Sequence, residues 1–171
     1  MSLHRKVAAV VVGGGHAGVE AALALARSGQ QTLLVTFRGD RLAWASCNPA
    51  IGGLAKGHLA REVDALGGQM GLTTDRTGIQ FRRLNLSKGP AVRSTRAQID
   101  MGRYSADIAR VVAESNHLEV VIDEVEEVLL RGQSVCGIKL ARGGQVDCRV
   151  AVVTAGTFLA GMIHIGEEQI P

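Results

Sequence analysis

The hexapeptide Gly13-Gly14-Gly15-His16-Ala17-Gly18 constrains this chain more than any other segment, because of what lies on either side of it. Val7 to Val12 is a short apolar run rich in β-branched residues, the pattern of a strand covered on both faces in a parallel sheet. His16 to Arg27 switches to helical composition, with Ala21 and Leu25 in an Ala-rich face, and Ser28-Gly29 supplies a stop. Gln31 to Thr36 is predicted as a second strand. Strand, glycine turn, helix and strand thus follow within about 30 residues, the size of a βαβ unit. In that context the spacing is G-x-G-x-x-G, the dinucleotide-binding fingerprint. Gly13 permits the tight turn, Gly15 lets the backbone approach a pyrophosphate, and Gly18 lets the helix pack close to the strand. The phosphates then sit at the helix N-terminus, where free N–H groups and the dipole favour negative charge. An ordinary glycine-rich turn is the competing reading.

One part of the fingerprint is missing. An acid is expected about 20 residues on, at the end of the second strand, to hold ribose hydroxyls; Thr36 stands there, and Asp40 replaces it only if the loop folds back. The gap weakens an NAD reading more than a flavin one. Flavoprotein folds follow the first βαβ unit with a β-meander and a strand returning to the cofactor. Val125 to Leu130, Ser134 to Leu140 and Gln145 to Val150 are β-prone runs separated by glycines, and Val150 to Thr154 is an apolar strand ending in Ala155-Gly156.

The middle of the chain is less periodic. Phe37 to Gly53 is predicted as a structured loop holding Trp44, Cys47, Asn48-Pro49 and Gly52-Gly53, and Leu54 to Leu66 as a helix stopped by Gly67-Gly68. Met70 to Ser94 has no period and reads as a long loop, either functional or concealing strands. Thr95 and Gln98 have capping-box spacing, which predicts a helix with Ala97, Met101, Tyr104, Ile108, Val111 and Ser115 on one face. Leu118 to Ile122 is predicted as a strand, and no terminal helix or strand is expected before Pro171.

A length of 171 residues suits one domain, and 22 glycines with 3% aromatics and 46% hydrophobic residues exclude a disordered or fibrous chain in favour of a glycine-turned α/β domain. Cys47, Cys136 and Cys148 are an odd number, without a CxxC pair or a histidine at zinc-ligand spacing, so neither a disulfide framework nor a metal site is expected. Val7 to Val12 is too short to span a membrane and no cleavage site follows it, so the expected location is cytoplasmic. The net charge of +3 hides an uneven distribution. Arg76, Arg82, Arg83, Lys88, Arg93, Arg96 and Arg103 face a single acid, Asp100, over one stretch, while Glu114 to Glu127 holds six acids and no Lys or Arg. The basic block points either to an anionic partner or to a solvated surface.

Two further segments carry candidate chemistry. In Ser46-Cys47-Asn48-Pro49-Ala50-Ile51-Gly52-Gly53, a thiol before a predicted helix is either reactive, as helix N-termini make cysteines, or a small packed side chain. Lys88-Gly89-Pro90-Ala91-Val92-Arg93 with Arg96 forms a basic loop feeding a predicted helix, suited to an anion or to solvent. Cys136 and Cys148 sit in β-prone runs as packing residues. His16, His58 and His164 have no acid–base partner at fixed spacing.

Val11 to Gly18, Ser46 to Gly53, Lys56-Gly57-His58, Glu62 to Gly68, Gly78 to Arg82, Ser87 to Val92, Thr95 to Gln98 and Thr154 to Leu159 together resemble, in order, the successive motifs of the MnmG/GidA family of tRNA-modifying flavoenzymes. The resemblance implies a Rossmann-like α/β FAD-binding domain with a parallel sheet and a small β-meander. Residues 1–171 would be the N-terminal part of that domain, truncated relative to the family. It implies an enzyme that uses FAD, NADH and methylenetetrahydrofolate, with the GTPase MnmE, to build an aminomethyl-type group on C5 of the tRNA wobble uridine, as a homodimer when intact. By residue match, Gly13, Gly14, Gly15, His16, Ala17 and Gly18 bind the FAD pyrophosphate, Val125 meets the adenine through its backbone, and Ala155 and Gly156 close on the cofactor. Cys47 matches one of two family cysteines assigned to catalysis; the second is not in this chain. Trp44 and Ala45 depart from the family pattern. The alternatives are a short, non-catalytic nucleotide-binding or interaction module and, with less support, a folate-dependent tRNA methyltransferase.

Overall fold

The structure, a computed structural model, describes residues 3–157, 159 and 161–170; Phe158 of the Thr154–Leu159 motif and Pro171 lie outside them. The elements run β1 (Leu3–Lys6), β2 (Ala9–Val12), α1 (His16–Arg27), β3 (Thr32–Thr36), β4 (Ala50–Gly52), α2 (Lys56–Ala65), α3 (Gln69–Thr77), β5 (Gly78–Leu84), β6 (Ser94–Ile99) and α4 (Met101–Glu114). Then follow β7 (Leu118–Ile122), β8 (Val125–Arg131), β9 (Ser134–Leu140), β10 (Gly144–Asp147), β11 (Val150–Val153), β12 (Ile163–Ile165) and β13 (Glu168–Ile170).

The unbroken apolar runs of β2 and β3 are explained by cover on both faces. They lie in an all-parallel sheet of order β11-β2-β3-β7. Successive side chains leave a strand on opposite faces. Val11 and Leu34 pack on Val19, Ala22 and Leu23 of α1 and on Tyr104, Ile108 and Val112 of α4. Their neighbours Val10, Leu33 and Val35 pack on Ile138, Leu140, Val146 and Cys148 of a second sheet. That sheet has the order β1-β10-β9-β8, with β8, β9 and β10 forming the antiparallel meander and β1 added in parallel to β10. Helices, parallel sheet and meander therefore make three layers. Among the described residues no helix is long and apolar enough to cross a membrane.

Several expectations are corrected. The first predicted strand, Val7 to Val12, begins only at Ala9, and an unpredicted strand, Leu3–Lys6, precedes it. The Phe37 to Gly53 loop contains β4, and Met70 to Ser94 is no loop but α3, β5 and a hairpin tip. The period of α3 escaped notice because its buried positions are polar: Gln69, Thr73, Thr74 and Thr77. Their burial costs little because each hydroxyl is paired. Thr74 Oγ1 donates to Met70 O at 2.7 Å, Thr77 Oγ1 to Thr73 O at 2.8 Å and Thr73 Oγ1 to Asp107 Oδ2 at 2.8 Å. The N-terminus of α3 is capped from another helix, by the Glu20 carboxylate accepting from the backbone N–H groups of Gln69 and Met70.

The capping box at Thr95 and Gln98 is also overturned. Both residues lie in β6, the centre of an antiparallel sheet of order β4-β6-β5, where Ala97 and Ile99 are buried. The helix starts later, at Met101, and Asp100 caps it by accepting from Arg103 N–H at 2.9 Å. A capping box is only a local option, and strand pairing on both sides satisfies more backbone groups. Finally, β12 and β13 form a hairpin where no terminal strand was expected.

Candidate functional site

The parallel strands β2, β3, β7 and β11 all end on one edge, the edge where open α/β sheets bind ligands. At the end of β2 the chain turns through Gly13, whose φ of +106° is open to few other residues. A methyl at Gly18 would stand 1.8 Å from Gly13 O, so α1 lies directly against the turn. Gly15 differs. A methyl there meets nothing within 4 Å, and α1 has neither a side-chain cap nor an acid in its first turn. The first N–H groups of α1 therefore face open space, which fits a dinucleotide pyrophosphate.

Neighbouring strand ends hold this cradle in place. Thr154, just past β11, donates its hydroxyl to Val12 O at 2.8 Å and to Gly13 O at 3.2 Å, and so sets Ala155 and Gly156 beside the turn. Gly13 N–H donates to Val35 O at 2.8 Å, and Ala43 N–H to Gly14 O at 2.8 Å. Thr36, in the place of the ribose-binding acid, is buried. Asp40 does not replace it: both its oxygens accept from Arg38 at 2.8 Å. The neighbouring Asp123, a buried acid, donates its N–H to Thr36 O and accepts from the N–H groups of Glu124 and Arg142. It shapes the turn that leads β7 into Val125, a partly buried residue packed on the second core cluster.

His16, the first residue of α1, meets Tyr104 edge to face with ring centroids 5.8 Å apart. Its Nδ1 is buried without a hydrogen-bond partner among the described residues. Burial, with a smaller contribution from the charge of Lys56, pushes its pKa down to about 4, so the ring is neutral at pH 7. The Lys56 ammonium donates to Ala50 O at 2.9 Å. Its pKa is lowered by desolvation and by the charge of Arg96, with Cys47 acting in the opposite direction. Arg96 in turn reaches Asn48 Oδ1 at 3.5 Å. Four motifs that are far apart in sequence thus meet around Lys56: the end of the glycine turn, the Ser46–Gly53 loop, Lys56-Gly57-His58 and the Thr95–Gln98 strand.

Cys47 is exposed within that cluster, and this disfavours a packing role. It does not stand at a helix start, because β4 separates it from α2. Of the two departures from the family pattern, Ala45 is buried in the core and Trp44 carries the Arg41 guanidinium 5.1 Å above its ring. Cys148 is buried, which pushes its thiol pKa up; Cys136 is partly buried beside it in β9. The Lys88–Arg93 loop is the tip of the β5–β6 hairpin and feeds a strand rather than a helix. It is ordered by Asn85 Nδ2 donating to Val92 O and by Arg93 Nε donating to Lys88 O. Lys56 and Thr154 stood within family motifs and Tyr104 on a predicted helix face, but none of them, nor Asp123, was given a site role from sequence. Thr154 had a visible signal, its place before Ala155-Gly156, whereas Asp123 was hidden in an acidic run.

The family model described as "glucose inhibited division protein A" (GidA) matches residues 8–171. The tRNA uridine 5-carboxymethylaminomethyl modification enzyme MnmG of a Nitratiruptor species is 57% identical over 158 residues, 92% of this chain and 25% of that protein. The protein of the same name from Campylobacter fetus is 54% identical over 161 residues, 94% of this chain and 26% of that protein. The chain thus spans about a quarter of the length of the curated relatives it matches. Among solved structures, GidA of Aquifex aeolicus (crystal form II) superposes with a TM-score of 0.92 at 46% identity, over 97% of this chain and 28% of that one. PqsL of Pseudomonas aeruginosa, a probable FAD-dependent monooxygenase, shares the fold alone, with a TM-score of 0.65 at 18% identity over 90% of this chain and 43% of that one. With the family match running from the first strand of the glycine unit through the terminal hairpin, and with its motifs meeting around one cradle, the chain belongs to the GidA family.

Proposed function

We propose that this chain is the N-terminal part of the FAD-binding domain of an enzyme that modifies C5 of the tRNA wobble uridine. The full reaction adds an aminomethyl or carboxymethylaminomethyl group, with NADH and methylenetetrahydrofolate as co-substrates and MnmE as partner. The observation that carries this reading is the meeting of the glycine cradle with the exposed Cys47 loop through His16 and Lys56. A cofactor-binding turn and a free thiol side by side suit redox chemistry on a bound substrate.

FAD, when bound, supplies hydride acceptance and donation. The turn from Gly13 to Gly18 would hold its pyrophosphate through the first N–H groups of α1, the Gly13 N–H being taken by Val35 O, while Val125 would meet the adenine through its backbone and Ala155 and Gly156 would close on the cofactor. Neutral His16 adds no positive charge beneath the cradle. Cys47 presents its sulfur to the substrate, and Lys56 places a positive charge beside it. The test is mass spectrometry of nucleosides from tRNA incubated with the full-length protein, MnmE, FAD, NADH and the folate. Modified wobble uridine is expected, and a digest without it refutes the reading.

A further inference from the structure

On one face of the β4-β6-β5 sheet, Arg82 lies directly opposite Arg96, and one step along the pleat Gln80 lies opposite Gln98. Like charges opposed across a strand pair destabilise a sheet unless something of opposite charge joins them. No acid does so: among the described residues neither arginine has an ion pair, and only Arg96 has a side-chain hydrogen bond, the one to Asn48. The third strand adds Ala50 and Gly52 to the same rows, where small residues leave the guanidinium and amide heads uncovered. Gln80, Arg82, Leu84, Arg96 and Gln98 line a hollow of about 240 Å³. Ser94, which shares this face at the Leu84 register, has a buried hydroxyl without a partner among the described residues. Lys88 and Arg93 add positive charge at the hairpin tip, and no acid occurs between Gly78 and Ile99.

We infer that the β5–β6 hairpin is a landing surface for an RNA strand, with the Arg82–Arg96 pair gripping one phosphodiester and the Gln80–Gln98 amides contacting an adjacent base. Two guanidinium forks match the paired oxygens of a phosphate, and side-chain amides offer a donor and an acceptor to a base edge. The hollow falls below the roughly 300–1,000 Å³ of small-molecule pockets. The cations extend well past it, so a polyanion fits better than a lone dinucleotide or folate. The contact of Arg96 with Asn48 joins the surface to the Cys47 loop, so a strand held here delivers a base towards the thiol. The identification of that RNA as tRNA rests on the proposed function.

The test is fluorescence anisotropy of a labelled anticodon stem-loop with the full-length flavin-bound protein across a salt series. The variants are Arg82→Gln, Arg82→Gln with Arg96→Gln, and Lys88→Gln with Arg93→Gln. Arg131→Gln, on the exposed end of β8, is the control. Each double variant should raise Kd at least tenfold; loss of the one phosphate held by Arg82 and Arg96 should flatten the slope of log Kd against log salt by about 0.7, and loss of the Lys88 and Arg93 contacts by up to about 1.4, roughly 0.7 per phosphate of a single strand. Arg82→Gln, on the edge strand, should show a smaller slope change than the Arg82–Arg96 double without disturbing β6. Unchanged binding in the doubles, an equal loss in the control, or loss of flavin in step with RNA overturns the inference. Wild-type protein that modifies tRNA while the doubles bind normally sinks this surface alone. Protein that binds through it but modifies no uridine sinks the functional reading alone.

Discussion

Two glycines three residues apart make opposite predictions. A methyl at Gly18 would sit 1.8 Å from Gly13 O and 2.7 Å from Thr154 Oγ1, both fixed by strand ends, so α1 must move away from the turn. Overpacking of this kind costs about 1–3 kcal/mol, and here the clash is with backbone, which sets the expectation for Gly18→Ala near 3 kcal/mol. For a domain of this size that lowers Tm by roughly 6–12 °C. At Gly15 the methyl meets nothing and φ is −73°, a value any residue adopts. Gly15→Ala should therefore leave the apo-protein within about 0.5 kcal/mol of wild type. It should nevertheless lift the pyrophosphate off the first N–H groups of α1. Losing one charge-assisted hydrogen bond at about 1.5–3 kcal/mol raises the FAD Kd by roughly tenfold to a hundredfold. Calorimetry of the apo-protein and FAD titration measure both quantities. If Gly15→Ala melts as early as Gly18→Ala, or binds FAD as tightly as wild type, the open face of the turn is not the phosphate site.

Cys47→Ser should retain the fold and bound flavin while losing most uridine modification, read by absorbance and nucleoside mass spectrometry; full activity would return Cys47 to a packing role. The His16 pKa, held near 4 against 6.5 in the unfolded chain, means that the unfolded state binds more protons between those values. Apo-protein stability should fall as pH drops from about 6.5 towards 4, by up to about 3 kcal/mol, with no contribution above 6.5. Urea unfolding across that range should show a shallower loss in His16→Gln, and identical slopes would contradict the desolvated ring. Asp100→Ala should cost about 1 kcal/mol through the lost cap on α4, whereas Gln98→Ala should leave α4 intact, because Gln98 belongs to a strand. Helicity and unfolding midpoints of the two variants decide between them.

The glycine unit was legible because its signals are short-range: a covered strand, a turn only glycine makes, and a helix that follows at once. The meander and the strand returning to Ala155-Gly156 were legible for the same reason, each being a β-prone run set off by glycines. The segment from Met70 to Ser94 was not. The buried face of α3 is written in threonines whose hydroxyls are satisfied by carbonyls within the helix and by Asp107, and its N-terminus is capped by Glu20 from α1, some 50 positions away. No local window holds either fact. Thr95 and Gln98 misled for the complementary reason: their local spacing favours a helix start, and only pairing with β4 and β5 on both sides makes them a strand.

The candidate site divides in the same way. The sequence by itself determined the glycine turn between β2 and α1, since Gly13, Gly15 and Gly18 act through backbone geometry that their spacing already encodes. It also marked Cys47 and the basic stretch as candidates without relating one to the other. Only the tertiary structure brought His16, Cys47, Lys56 and Arg96 together, removed Cys47 from any helix start, and set Arg82 against Arg96 across two strands. Desolvation and charge–charge coupling depend on distance in space, and the chain separations of 9 to 80 residues among those four groups carry no trace of it.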